Sequence, residues 1–166
     1  MARNDGKDRT FARNERYKRD EVLNMERHNE RKNETYKNED VLLEHKDRNF
    51  YLKKPTDTYL GMYDKLRDDE VIVQRGLKKD AHIIDELVFD VNTAYFEKNG
   101  GYDYAKEFFT NAYEYAIEKV GGEQYILSAV MHADERHKQL SKELGKDVFH
   151  YHLHVTYVPV VKKEIL

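Results

Sequence analysis

Several common features are absent from this chain of 166 residues, and each absence excludes a class of protein. It has no cysteine, so disulfides, thiolate nucleophiles and cysteine-ligated zinc are excluded. No apolar run reaches the length of a membrane span, and the polar start "MARNDGKDRTFARNERYKRDE" has no signal-peptide core. We therefore expect a cytoplasmic protein with one domain, or one domain and an arm.

The formal net charge of −3 gives no global attraction to nucleic acid, but the charge is unevenly distributed. Residues 1–54 hold 15 Lys and Arg against 12 Asp and Glu, a net charge of +3, which leaves the remainder at −6. This asymmetry weakly favours an anion-binding arm at the N-terminus, although mixed charge runs are usually solvated surfaces.

Hydrophobic periodicity predicts alternating strands and helices. The expected strands cover 49–54, 81–91, 124–135 and 148–158, and the expected helices cover 15–34, 57–69 and 102–120. The helix at 102–120 should end at Gly121 and Gly122, and a polar connection should fill 136–147. These elements predict an α+β fold with a largely antiparallel central sheet and helices packed on it. The chain ends as its last strand runs out, so we expect it to be the N-terminal part of a longer protein.

The segment "FHYHLHVTYVP" at 149–159 places histidine at every second position. Alternate residues of a strand share a face, so His150, His152 and His154 point to one side while the other side is apolar. Half-exposed strand histidines satisfied by water are the plain alternative. Three on one face favour a metal site, because neighbouring imidazoles can converge on one ion.

The segment "HADE" supplies a partner at the end of the strand predicted at 124–135. If this strand pairs with the histidine strand, His132 approaches His152 and His154, with Glu135 beside them. Three imidazoles with open positions suit a Lewis acid that polarises a carbonyl or phosphoryl oxygen. A third segment, "MERHNERKNETYKNEDV" at 25–41, places His28 between Arg27 and Arg31, and on its own it would indicate only a solvated helix end.

Together, these three segments resemble the Mob/Pre (MobV-type) family of plasmid mobilisation relaxases within the HUH endonuclease superfamily. His152-Leu153-His154 matches the histidine–hydrophobe–histidine pair, Val158-Pro159 follows at the family's position, and "RHNER" matches its HNxR motif. The resemblance runs from about residue 11 to the end. It implies one HUH relaxase domain over 1–166, a sandwich like that of replication initiators, with a basic arm and the motif helix in 1–48.

The resemblance also implies an activity. Such enzymes nick one strand at a transfer origin by transesterification and stay linked to the 5′ phosphate, and the DNA then serves mobilisation and recombination. The implied cofactor is Mn²⁺ or Mg²⁺ on His132, His152 and His154. The implied partners are origin DNA, single-stranded or hairpin, and a conjugation coupling protein, without membrane contact by this domain.

Roles for single residues follow from the same resemblance. His28 is the expected nucleophile and Glu135 supports the metal. The expected contacts to DNA phosphates come from four basic residues, Arg27, Arg31, Arg75 and Lys78.

The chain departs from the family pattern at three places, one of which is His45, which stands roughly where relatives have arginine. Phe50 stands where many members carry a tyrosine, which favours His28 as the nucleophile over Tyr36 or Tyr51. The link "RHKQLSKELGKDVFHY" is longer than the usual short Thr-Pro link, so the approach of Glu135 to the metal needs testing.

Other functions stay open on the residues alone. A two-histidine phosphoesterase needs paired His-x-Thr motifs, and only "HVT" at 154–156 fits. A zinc hydrolase would leave the HNxR segment unexplained. A non-catalytic DNA-binding or replication-control domain would tolerate loss of the three histidines without losing DNA affinity.

Overall fold

Five antiparallel strands form one sheet, in the order β1-β3-β5-β4-β2, in the computed structural model, which describes residues 7–161. The strands are β1 (Thr10–Lys18), β2 (Phe50–Lys53), β3 (His82–Val91), β4 (Ile126–Arg136) and β5 (Phe149–Tyr157). The histidine strand β5 therefore lies in the middle of the sheet, paired with β3 on one side and β4 on the other. The predicted α+β fold with an antiparallel sheet is confirmed.

Five helices accompany the sheet. They are α1 (Val22–Asn29), α2 (Tyr59–Asp68), α3 (Thr93–Asn99), α4 (Gly101–Val120) and α5 (Lys138–Leu144). The long helix α4 ends where the sequence predicts, because Gly121 adopts φ of 91°, a left-handed conformation that favours glycine.

The alternation of β5 divides the sheet into two chemically different faces. Its apolar residues pack with α3 and α4 in one core, in which Phe149, Tyr151, Leu153 and Val155 are all buried. The histidine face is covered by α1 and α2, whose apolar residues form a second core around Tyr59 and Tyr63. The functional side chains are thereby enclosed between the sheet and the short helix α1.

The helix predicted at 15–34 is only partly correct. Residues Thr10–Lys18 form β1, which pairs with β3, and α1 occupies only Val22–Asn29. Most of β1 is exposed, so its sequence "TFARNERYK" has no apolar alternation, and the pairing with β3 overrides its helix-like composition.

The sequence analysis did not predict two of the helices. Helix α3 follows β3 directly, and α5 lies inside the connection at 136–147 that was expected to be irregular. The remaining predicted strands and helices are confirmed, with ends shifted by a few residues. No helix within residues 7–161 is both long enough and apolar enough to span a membrane.

Candidate metal centre

Three buried histidines meet on the face of the sheet that α1 covers. His132 on β4 lies directly opposite His152 on β5, and His154 follows two residues later. The ring centroids lie 5.2 Å apart for His132 and His152, 4.5 Å for His132 and His154, and 4.7 Å for His152 and His154. One nitrogen from each ring lies within 4.8 Å of the others, so the three can bind one metal ion.

The hydrogen bonds of the rings show which nitrogens face this ion. His132 Nε2 lies 2.8 Å from the carbonyl oxygen of Asn29 and must donate to it, so the lone pair of the ring is on Nδ1, which lies 3.3 Å from both Arg31 Nη2 and His152 Nε2. His154 Nδ1 lies 2.9 Å from Glu86 Oε1, so its lone pair is on Nε2. That Nε2 atom is buried and has no hydrogen-bond partner within the described residues. A divalent cation fits this set of imidazole donors.

Burial keeps two of these rings neutral. It lowers the pKa of His132 and His152 well below the usual value, and electrostatic interaction with the neighbouring His154 and Arg31 lowers it further. Because a metal binds the unprotonated nitrogen, these rings need lose no proton at neutral pH before they bind.

Glu86 on β3 is a site residue that the sequence prediction missed. Its carboxylate is buried, and it accepts hydrogen bonds from His154 Nδ1 and, at 2.5 Å, from Asn29 Nδ2. Burial raises the pKa of Glu86, but His154 and Asn29 outweigh this effect and bring the pKa below its usual value. The sequence offered one signal for this residue, an acid within the apolar strand "DELVFDV". Its contact with His154 could not be predicted, because the contact depends on the register of the strands.

Glu135 reaches the cluster despite the long connection that follows it. A register shift between His132 and Glu135 interrupts the pairing with β5, and Glu135 Oε1 lies 3.5 Å from His152 Nε2. The same oxygen accepts a hydrogen bond of 3.1 Å from Arg31 Nη2. Glu135 therefore lies close enough to the cluster for the supporting role predicted for it, and that role stays a prediction.

Arg31 is buried and bound by carboxylates. Its Nε and Nη2 each donate at 2.8 Å to one oxygen of Asp134, a bidentate pair whose side chains are 3% and 0% exposed. Nη2 also lies 3.3 Å from His132 Nδ1. The residue itself has φ of 52°, which is rare for a residue other than glycine. These contacts give Arg31 a structural role beside the three histidines. A contact between Arg31 and a DNA phosphate stays a prediction.

His28, the predicted nucleophile, lies at the end of α1 beside the cluster. Its ring centroid is 6.4 Å from that of His132 and 5.7 Å from that of Tyr36. The residue is exposed overall, yet surrounding protein lowers its pKa, and the charges of Arg31 and His154 add to this effect. His28 also lines an open cavity together with Glu86 and His154. A neutral imidazole is therefore accessible next to the proposed metal position.

Of the two alternative tyrosine nucleophiles, only Tyr51 is bound by a carboxylate. The Tyr51 hydroxyl donates to Glu30 at 2.5 Å, and burial together with this contact raises the pKa of Tyr51, which disfavours its phenolate. Glu30 also accepts hydrogen bonds from Tyr59 and Ser128. The Tyr36 hydroxyl accepts a hydrogen bond from the backbone N–H of Asn33, and the Tyr36 ring lies beside His28.

The other predicted DNA-binding residues lie outside the cluster. Arg27 is exposed and donates to Asn33 Oδ1 at 3.0 Å. Arg75 and Lys78 are exposed in the loop between α2 and β3, where their side chains make no hydrogen bond or ion pair within residues 7–161. The structure thus brings His28, Arg31 and Glu135 to the three histidines and leaves Arg27, Arg75 and Lys78 on the surface.

Comparison with known proteins identifies relatives. The sequence model of the family described as plasmid recombination enzyme (Mob_Pre) matches residues 7–166. No curated protein matches the chain. Among solved structures, an Mn-bound MobM relaxase domain (MOBV; Mob_Pre) in complex with plasmid pMV158 oriT DNA is similar, with a TM-score of 0.75 and 24% identity over 95% of this chain and 74% of that chain.

A second structure of that domain, bound to a 26-nucleotide oriT DNA, has a TM-score of 0.62 and 22% identity over 95% of this chain and 72% of that chain. At these identities the structural likeness establishes the fold, and the match of the family model over nearly the whole sequence establishes the family. This chain belongs to the Mob/Pre family of plasmid recombination enzymes, as its histidine motifs predict.

Proposed function

We propose that this domain is a DNA relaxase that nicks one strand at a transfer origin and retains the 5′ phosphate on a side chain. The observation that carries the proposal is the buried three-histidine cluster, with its unpartnered His154 Nε2, next to an accessible neutral His28. Family membership supports the same chemistry, and the similar MobM domain is described as bound to oriT DNA and to Mn.

The cluster would hold Mn²⁺ or Mg²⁺ through His132, His152 and His154, and a bound divalent cation supplies charge stabilisation on the non-bridging oxygens of the phosphodiester. The Asn29 carbonyl and Glu86 fix the orientation of two of the rings. Glu135 lies at the open edge, and its carboxylate holds Arg31 in place.

His28 would attack the scissile phosphorus. A new P–N bond joins the 5′ phosphate to the ring, while the P–O3′ bond breaks. The other ring nitrogen then releases its proton to solvent, and the departing 3′ oxygen takes up one proton in exchange. Only the neutral ring has the lone pair for this attack, and its lowered pKa keeps that form populated. Arg27, Arg75 and Lys78 would bind backbone phosphates on the surface.

Two further points of the proposal are the cellular location of the domain and its protein partner. We place the domain in the cytoplasm, where plasmid DNA lies, and we include a conjugation coupling protein among its partners. The location follows from the lack of a membrane span and of a signal-peptide core in the sequence, and the coupling protein follows from the family resemblance.

Removal of the metal ligands tests the proposal. We expect His152→Ala and His154→Ala to abolish nicking of a single-stranded oligonucleotide from the region flanking the gene, in the presence of Mn²⁺, because each removes a metal ligand. Circular dichroism should show a retained fold. The exposed His82 gives a matched control, and His82→Ala should nick as the unmodified domain does. Normal nicking by either ligand variant would contradict the metal assignment.

A further inference from the structure

The connection between β4 and β5 contains the short helix α5 and lies beside the strands of the three histidines. It joins the two strands that carry all three metal ligands, so a molecule bound along it lies next to the metal centre. The segment 136–147 also carries four basic residues, Arg136, Lys138, Lys142 and Lys146.

A cavity of about 350 Å³ lies between this connection and α3. Ala94 and Leu140 provide apolar walls, and Asn38 and Gln139 provide amide groups. Glu135 also lines the cavity, and its carboxylate lies 3.5 Å from His152 Nε2, so the cavity adjoins the metal centre. A volume of this size accommodates one small organic group.

His150, the third histidine of the strand, forms one wall of this cavity. Its Nδ1 lies 2.8 Å from Thr93 Oγ1, and its Nε2 lies 2.8 Å from Asp90 Oδ1. Because both nitrogens are engaged, the ring is fixed and can present only a face or a carbon edge to the cavity. A rigid aromatic wall of this kind suits a planar base.

A basic groove continues from the cavity along α5. A second cavity of about 520 Å³ shares Arg136 and Lys138 with the first and extends past Lys142 and Lys146. Lys138 contacts Asp40 at 3.3 Å and Lys146 contacts Glu97 at 3.1 Å, but both lysines are more than half exposed. Both lysine side chains stay accessible to solvent, so DNA phosphates can reach them. Arg136 Nε is buried without a hydrogen-bond partner in the described part of the chain.

We propose that the β4–β5 connection binds the single-stranded DNA adjacent to the nick, with one base in the cavity beside His150 and the following phosphates along the basic groove. His28 lines a separate cavity, whose other residues come from β1, α1, β3 and β5. A strand that crosses the metal centre therefore has a bound segment on each side. This inference rests on the proposed function, because it takes the substrate to be DNA.

Binding can be tested without nicking. Methyl NMR of the metal-loaded domain with the four homopolymeric tetradeoxynucleotides should show saturable shifts of the Ala94 and Leu140 methyl signals for at least one of them. Ala94→Leu fills the cavity and should weaken this binding about tenfold, as expected for loss of a stacked base. Glu114→Leu adds the same side chain at an exposed position of α4 that lines neither cavity, and should bind normally. Shifts confined to residues outside the cavity would overturn the proposal.

An abasic scan locates the base. In an oligonucleotide that the domain nicks, removal of one base near the scissile phosphate should lower kcat/KM about tenfold in the unmodified domain, and should have no further effect in Ala94→Leu. No sensitive position, or equal sensitivity in the variant, would contradict the proposal. If Ala94→Leu does not fold, the scan on the unmodified domain decides. Absence of nicking with cavity binding intact would refute the proposed function and leave the binding site standing.

Discussion

Glu86 is the residue whose environment says most about the site. A carboxylate in an apolar strand loses its hydration, and it is stable as an anion only if specific partners replace the water. His154 and Asn29 do so here. A carboxylate that accepts from a ligating histidine fixes the ring and makes its free nitrogen a stronger donor to a metal. Glu86 therefore orients His154 for metal binding and is not itself one of the three proposed ligands.

The charge of Glu86 should be measurable in metal affinity. We expect Glu86→Gln to weaken Mn²⁺ binding by about 10- to 100-fold, because an amide of the same shape orients His154 without increasing its basicity. Calorimetric titration with Mn²⁺ measures the change. Asp85, its buried neighbour, contacts Asn14 and Arg16 instead, so Asp85→Asn should bind Mn²⁺ normally. Equal affinities for both variants would show that Glu86 has no role in the site.

The buried histidines should make the metal-free domain sensitive to acid. The pKa values of His132 and His152 in the folded state lie well below the usual 6.5, so the unfolded chain binds more protons below that pH. Stability is therefore complete above about pH 6.5 and declines as the pH falls, by about 1.4 kcal/mol for each group and each unit of pKa separation. Chemical denaturation of the metal-free domain between pH 7.5 and 5 measures the slope, and a flat profile would contradict the burial of neutral rings.

At the scale of elements, three consecutive residues at the end of α1 bind to the sheet and to α2. Asn29 bonds to His132 and Glu86, Glu30 accepts three hydroxyl groups, and Arg31 pairs with Asp134. The left-handed conformation of Arg31 ends the helix and is sustained by that buried pair. His28 projects from this anchored segment, so its position relative to the cluster is fixed.

Loss of Arg31 should therefore act through stability. We expect Arg31→Ala to lower the free energy of unfolding by about 3–5 kcal/mol, because it leaves Asp134 buried without its partner. The exposed Arg27 is the control, and Arg27→Ala should change stability by less than about 0.5 kcal/mol. Denaturant titration measures both values. An Arg31→Ala domain of normal stability but weak DNA binding would instead support the phosphate contact that the family resemblance implies.

The elements that the sequence predicts correctly are those whose pattern reflects burial. Strand β5 alternates because one face packs on α4, and β4 is mostly apolar from Ile126 to Met131 because both its faces are covered. Strand β1 shows no such pattern because it is an exposed edge strand, so its sequence suggested a helix. The three-histidine set was predictable from spacing and pairing. The contacts of Glu86, Asn29 and Asp134 were not, because they depend on the register and on the placement of α1.

At the scale of the whole molecule, the two faces of the sheet differ in role. Its α3–α4 face forms the larger apolar core, while the opposite face carries the histidines beneath α1. This division explains how the fold can match the MobM domain with a TM-score of 0.75 at 24% identity, since an apolar pattern tolerates exchange of one hydrophobic residue for another. The β4–β5 connection lies outside that core, so core packing does not constrain its sequence.

The central claim is that His28 forms the covalent link to DNA, and the most direct measurement is to map the linked residue. The domain is incubated with Mn²⁺ and single-stranded DNA from the region flanking its gene, and the adduct is analysed by mass spectrometry. We expect an acid-labile adduct on His28, and a His28→Ala variant that binds DNA but forms none. An acid-stable adduct on Tyr36 or Tyr51 would contradict the account.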